Sequence, residues 1–126
     1  MKPTDIGKQG EEAVCRYLTG RGYEILARNY RIRGAEVDII CSREDTLAFV
    51  EVKARRVGSM VDGFEAVTQS KQNRIIRAAY RYLQEQGIDE SQWFIRYDIA
   101  AVNMWQGEVI EIDYLENAFD ESGFSW

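Results

Sequence analysis

The spacing of apolar residues along this chain switches repeatedly between helical and strand periods, and each switch marks an element. From Thr4 or Asp5, either of which can cap a helix, to about Thr19, the residues Ile6, Ala13, Val14, Tyr17 and Leu18 fall on one helical face. Glu12 and Arg16 lie on the polar face, and Gly20 and Gly22 end the run. Tyr23 to Arg31, Ala35 to Cys41 and Thr46 to Lys53 then read as three strands. The basic turn Arg31-Ile32-Arg33-Gly34 separates the first two, and the polar loop Ser42-Arg43-Glu44-Asp45 joins the last two as a hairpin. After a glycine-containing loop from Arg56 to Gly63, helical spacing returns from about Phe64 to Gln86. This helix buries Val67, Ile75, Ala78, Ala79, Tyr82 and Leu83 and stops at Gly87. Trp93 to Val102 and Glu108 to Leu115 are two more strands around Gln106-Gly107, and 116–126 reads as a short acidic tail. The order helix, three strands, helix, two strands predicts an α/β fold with a mixed sheet flanked by helices.

Register decides which side chains of the hairpin meet. Strand side chains alternate, so Glu51 and Lys53 point to the same side of their strand, as Glu36 and Asp38 do of theirs, and the register brings all four to a common face. A four-residue loop pairs Cys41 with Thr46 and sets Glu36 opposite Glu51 and Asp38 opposite Phe49. Val37, Ile39, Val50 and Val52 then fill the other face. Three carboxylates gather around one ammonium, an arrangement that calls for a compensating cation. Mg²⁺ or Mn²⁺ suits the site, being a hard ion that takes carboxylate and carbonyl oxygens and retains waters, one of which can act as nucleophile. Lys53 would orient that water or balance charge on a phosphate. The plain alternative is that Glu51-Val52-Lys53 is a solvated ion pair. Its place in the apolar strand Leu47-Ala48-Phe49-Val50 argues against that, because charge there is costly without a task.

Composition narrows the chemistry. The chain has 126 residues, 45% of them hydrophobic, which fits one domain spanning 1–126. No apolar run approaches a membrane span and no signal-like start is present, so a cytoplasmic protein is expected. Histidine is absent, which removes imidazole bases and ligands; Cys15 and Cys41 are too far apart to read as a zinc or redox motif. The net charge of −5 argues against nucleic acid until its distribution is considered. Residues 108–126 hold six acids and no base, whereas 53–81 hold seven bases against Asp62 and Glu65. Lys71, Arg74, Arg77 and Arg81 recur at three- and four-residue steps as one basic stripe, for which a solvated face is the default explanation.

The motifs Gly34-Ala35-Glu36-Val37-Asp38-Ile39-Ile40, Phe49-Val50-Glu51-Val52-Lys53-Ala54-Arg55 and Ala66-Val67-Thr68 with Lys71 resemble the bacterial YraN-like family. So do Gly7, Gly10, Glu11 and Ala13, the stretch Ala27-Arg28-Asn29-Tyr30, Arg96-Tyr97-Asp98, and Glu116-Asn117-Ala118-Phe119. The family is similar to archaeal Holliday-junction resolvases and to the PD-(D/E)XK restriction-endonuclease-like fold. The resemblance implies Asp38 and Glu51 as metal-binding carboxylates, the Val52 backbone carbonyl as a further ligand, Lys53 as the catalytic lysine and Glu11 as the first-helix glutamate. Glu36, Gln69 and Lys71 would support these groups or reach the scissile phosphate. Arg33, Arg55, Arg56, Lys71, Arg74 and Arg77 are the candidate nucleic-acid contacts. Ala35 and Val37 depart from the pattern, standing where the family has glycine and the wider fold has proline.

Two functions compete on these residues. One is a Mg²⁺- or Mn²⁺-dependent DNA endonuclease, acting on branched or damaged DNA and forming a homodimer if it cuts two strands of a junction. The other is a non-catalytic nuclease-fold module that binds DNA or protein, its acidic C-terminus engaging a basic partner. Hydrolysis of RNA or nucleotides by the same residues is a remoter third.

Overall fold

The computed structural model describes residues 3–58 and 67–126, with side chains in the first helix from Gly7 onward. The order is α1 (Pro3–Thr19), β1 (Glu24–Ile32), β2 (Ala35–Arg43), β3 (Thr46–Arg56), α2 (Gln69–Gln86), β4 (Phe94–Trp105) and β5 (Glu108–Phe119). The strands form one sheet in sequence order. Every neighbouring pair is antiparallel except β3 with β4, which run parallel and are joined through α2. The predicted mixed α/β architecture is therefore the one observed. No helix among the described residues is long and apolar enough to cross a membrane.

Each helix covers one face. Val14, Cys15 and Leu18 of α1 pack on Ile39, Cys41, Ala48, Val50, Ala100 and Val102. On the other face, Ile75, Ile76, Ala79, Tyr82 and Leu83 of α2 cover Val37, Ile40, Leu47, Phe49 and Tyr97. Thr68 fixes the start of α2: its extended backbone and its hydroxyl, which accepts the Lys71 N–H at 3.2 Å, form an N-cap. The helix thus begins at Gln69, and Val67 is buried ahead of it; the predicted start at Phe64 and the loop residues 59–66 lie outside the described residues. Gly87 closes α2 in the left-handed conformation, as its position suggested.

The β2–β3 connection is tighter than expected. Ser42 and Arg43 continue the ladder, pairing with Leu47 and Thr46, so that the turn is only Glu44-Asp45. The Arg43 guanidinium lies 4.4 Å from the Tyr23 ring and donates to the Arg21 carbonyl, which holds a polar residue in a strand. The register is consequently shifted by two residues: Ile39 faces Val50, and the next pair outward would be Asp38 with Glu51 rather than with Phe49. Because the period is two, the faces survive this shift. Val37 is the exception: it joins the α2-side cluster, at the point where β2 has left β3 and is paired with β1 alone.

The C-terminal segment also differs from a tail. β5 runs to Phe119, whose ring stacks on Tyr97 at 5.3 Å. Glu121 then accepts hydrogen bonds from the hydroxyls of Tyr80 and Tyr97, and Phe124 and Trp126 pack around Tyr80. Hydrogen bonding therefore holds Glu121 against the fold.

Candidate active-site groove

Asp38 and Glu51 meet where two strands part. The β2–β3 ladder ends at Ile39 and Val50, and Asp38 turns its carboxylate into the gap, where Oδ2 accepts the Val52 N–H at 2.8 Å. A strand residue's N–H and C=O leave the backbone on the same side, so the Val52 carbonyl faces this gap as well. Glu51 is 5% exposed and holds two ammonium groups: Lys71 Nζ lies 2.7 Å and Lys53 Nζ 3.7 Å from its Oε1.

Burial, then the charge of Glu51, push the Asp38 carboxyl up to about 8, against the Val52 N–H that favours ionisation. A hydrogen bond between the two carboxyls and the more remote charge of Glu11 add to this. The Asp38 carboxyl thus retains its proton in a range where a solvated aspartate would be ionised. Lys53 is shifted downward, first by burial and then by Lys71, while Glu51 and Asp38 oppose the shift. The opposite side of the gap is open. A groove of about 480 Å³ runs past Asp38 and Glu51, lined also by Arg31, Glu36, Lys71 and Arg74.

The other candidate residues fall in several places. Glu36 is on the groove wall with Arg31 Nε 3.3 Å away, so it belongs to an exposed pair and does not crowd Glu51. Gln69 instead reaches along α2, donating to Asn73 at 2.8 Å. Glu11 approaches from the α1 side of the sheet, where a Cβ on the preceding Gly10 would lie 3.7 Å from Val52 Cγ1. Its carboxylate accepts from Asn29 Nδ2 at 3.0 Å and lines a separate groove of about 740 Å³ with Glu12, Arg16 and Arg28. Of the basic residues, Lys71 and Arg74 line the active-site groove and Arg33 is exposed in the turn at its lip. Arg56 is exposed at the end of β3, whereas Arg55 is held by Asn103 and Asp113. Arg77 has a buried Nε without a hydrogen-bond partner.

Two contributors escaped sequence reasoning. Arg31 was read as turn charge, yet it lines the groove. Asn29, which orients Glu11, adopts φ 53°, a conformation that asparagine tolerates better than most residues. An asparagine inside a strand pattern was the available signal.

No cluster of three or more Cys, Asp or Glu side chains placed to hold a metal occurs among the described residues. The donor set is smaller: the two neighbouring carboxyls of Asp38 and Glu51 and a backbone carbonyl beside an open groove. That set fits Mg²⁺, which commonly takes one or two carboxylates and completes its shell with waters and phosphate oxygens.

Sheet, helices and groove together define a small mixed α/β protein in which carboxylates and lysines converge where two central strands separate. The chain belongs to the uncharacterised protein family UPF0102, whose model matches residues 10–102. That span includes Glu11, Asp38, Glu51, Lys53 and Lys71, and the YraN-like resemblance is borne out. A UPF0102 protein of Alkaliphilus oremlandii is 41% identical over 114 residues, covering 90% of this chain and 97% of the relative. One from Desulfosudis oleivorans is 43% identical over 114 residues, covering 90% and 89%. Another, from Dictyoglomus turgidum, is 39% identical over 120 residues, covering 94% of this chain and 100% of the relative.

Proposed function

We propose that this protein is a divalent-metal-dependent phosphodiesterase acting on DNA. The observation that carries the reading is the Asp38–Glu51 pair, two largely buried carboxyls brought together beside a groove with cationic walls. Like charges are expensive to hold this way, and a cation-binding task accounts for them. A bound Mg²⁺ or Mn²⁺ would supply Lewis acidity towards water and phosphate. Asp38, Glu51 and the Val52 carbonyl would hold it, with the Val52 N–H fixing the Asp38 carboxylate. Lys53, on the strand that supplies Glu51, presents an ammonium at the same point and would balance charge developing on the phosphate. Arg31 and Arg74 would receive the flanking backbone phosphates. The resemblance to junction resolvases directs the choice of branched DNA as substrate.

The test is a cleavage assay with Mg²⁺ or Mn²⁺ on linear duplex, flap and four-way junction DNA. Wild type is expected to cut at least one of these, and Asp38→Asn and Lys53→Ala to lose activity by about 10³-fold or more. Absence of cleavage on every substrate defeats the reading, as does activity that survives Asp38→Asn.

A further inference from the structure

Lys71 sits on a carboxylate oxygen that a metal ion at Glu51 would need. Its Nζ is the nearer of two ammonium groups on Glu51 Oε1, at 2.7 Å against 3.7 Å for Lys53. The two lysines differ in how they are held. Lys53 shares a strand with Glu51 and is 23% exposed at its side chain, whereas Lys71 reaches across from the first turn of α2 and is 34% exposed. A lysine carries a compact charge on a flexible four-carbon stem, so Lys71 can leave Glu51 without disturbing the sheet. One turn along, Arg74 lines the same groove as Arg31, so the ammonium would move towards a surface already suited to anions.

We propose that Lys71 is a displaceable counter-ion that couples metal loading to nucleic-acid binding. In the metal-free protein it neutralises Glu51; a divalent ion expels it, and the freed ammonium becomes a phosphate contact beside Arg74. Each ligand then strengthens the other, because the phosphate backbone offers Lys71 a second partner when Glu51 is taken. This inference rests on the assignment of Asp38 and Glu51 as metal ligands, and the experiment separates the two ideas.

Mn²⁺ is titrated calorimetrically, without DNA, into wild type, Lys71→Met, Arg74→Met and Asp38→Asn. Lys71→Met is expected to bind Mn²⁺ roughly tenfold more tightly than wild type, since a competitor at contact distance is gone. Arg74→Met removes the same charge from the same groove outside the Glu51 ion pairs, and its affinity should change by less than about threefold. Equal or weaker binding by Lys71→Met overturns the inference and leaves the metal site standing. Equal gains in both variants also overturn it, since the effect would then be the general field of the groove. If no protein binds Mn²⁺, or if Asp38→Asn binds like wild type, the ligand assignment fails and the inference with it. A second measurement addresses the coupling: Ca²⁺ should tighten binding of a duplex oligonucleotide to wild type, and Lys71→Met should lose most of that gain despite binding the ion more tightly. Retention of the full gain overturns the coupling.

Discussion

Two strand aspartates, Asp38 and Asp98, show how similar sequence patterns reach opposite electrostatic ends. Asp98 is fully buried on β4, and both of its oxygens are committed. Arg96 donates to them from Nε and Nη2 at 2.9–3.1 Å, the Tyr114 hydroxyl at 2.6 Å and the Asn117 N–H at 2.9 Å. Tyr23 completes the cluster by accepting from Arg96. Asp38 has the Val52 N–H and a second carboxyl for company, and the nearby ammonium groups sit on Glu51 rather than on it. Arg96-Tyr97-Asp98 and Glu51-Val52-Lys53 each place opposite charges two residues apart on one strand. The first pair is closed by its surroundings; the second, with Lys71 added, opens onto a groove and leaves Asp38 beside it without an ammonium of its own. What separates a structural charge from a reactive one is therefore the donor count around the carboxylate.

The contrast is broken most forcefully at Asp98. Asp98→Ala leaves Arg96 buried without its main partner and is expected to cost about 3–5 kcal/mol in urea-induced unfolding. Asp38→Asn keeps an acceptor for Val52 while removing the crowded charge, so the metal-free protein at pH 8 should gain about 1 kcal/mol in the same measurement. A loss at Asp38 comparable to that at Asp98 would erase the distinction. Stability against pH sharpens it. The folded Asp38 carboxyl titrates near 8 instead of 3.8, so the folded chain keeps a proton that the unfolded chain releases. Stability from this source is full below pH 3.8 and falls as pH rises through about 8. Melting curves of the metal-free protein across that window should show the decline, and Asp38→Asn should flatten it. The smallest effect belongs to the exposed Arg28–Glu12 pair at 3.0 Å: Glu12→Ala should change stability by less than about 0.5 kcal/mol in urea unfolding.

Much of the fold was readable because its periods are clean. The helical face of Val14 and Leu18, the alternation in the strands and the stop at Gly87 each report burial directly. Register was less legible. Ser42 and Arg43 carry turn-like polarity, and nothing local indicates that Tyr23 will cover Arg43 from another element. The shift of two preserved the faces but changed the partner of Asp38 from Phe49 towards Glu51, which is the feature that matters for the groove. The placement of Glu11 depended on Asn29, a contact between α1 and β1 that no single segment encodes. Similarly, the acids of the C-terminus gave no hint that tyrosine hydroxyls from α2 and β4 would hold Glu121.

The position of β5 at the margin of the sheet gives its acids another meaning. A twelve-residue strand with one unpaired side, bearing exposed Ile110 and Leu115, is a template on which a second chain can add. Glu108, Glu111 and Glu116, also exposed, interrupt that surface with like charge and make its self-association repulsive. Much of the negative charge that weakened the case for nucleic acid thus acts as a guard against aggregation, on an outer strand separated from the groove by β4.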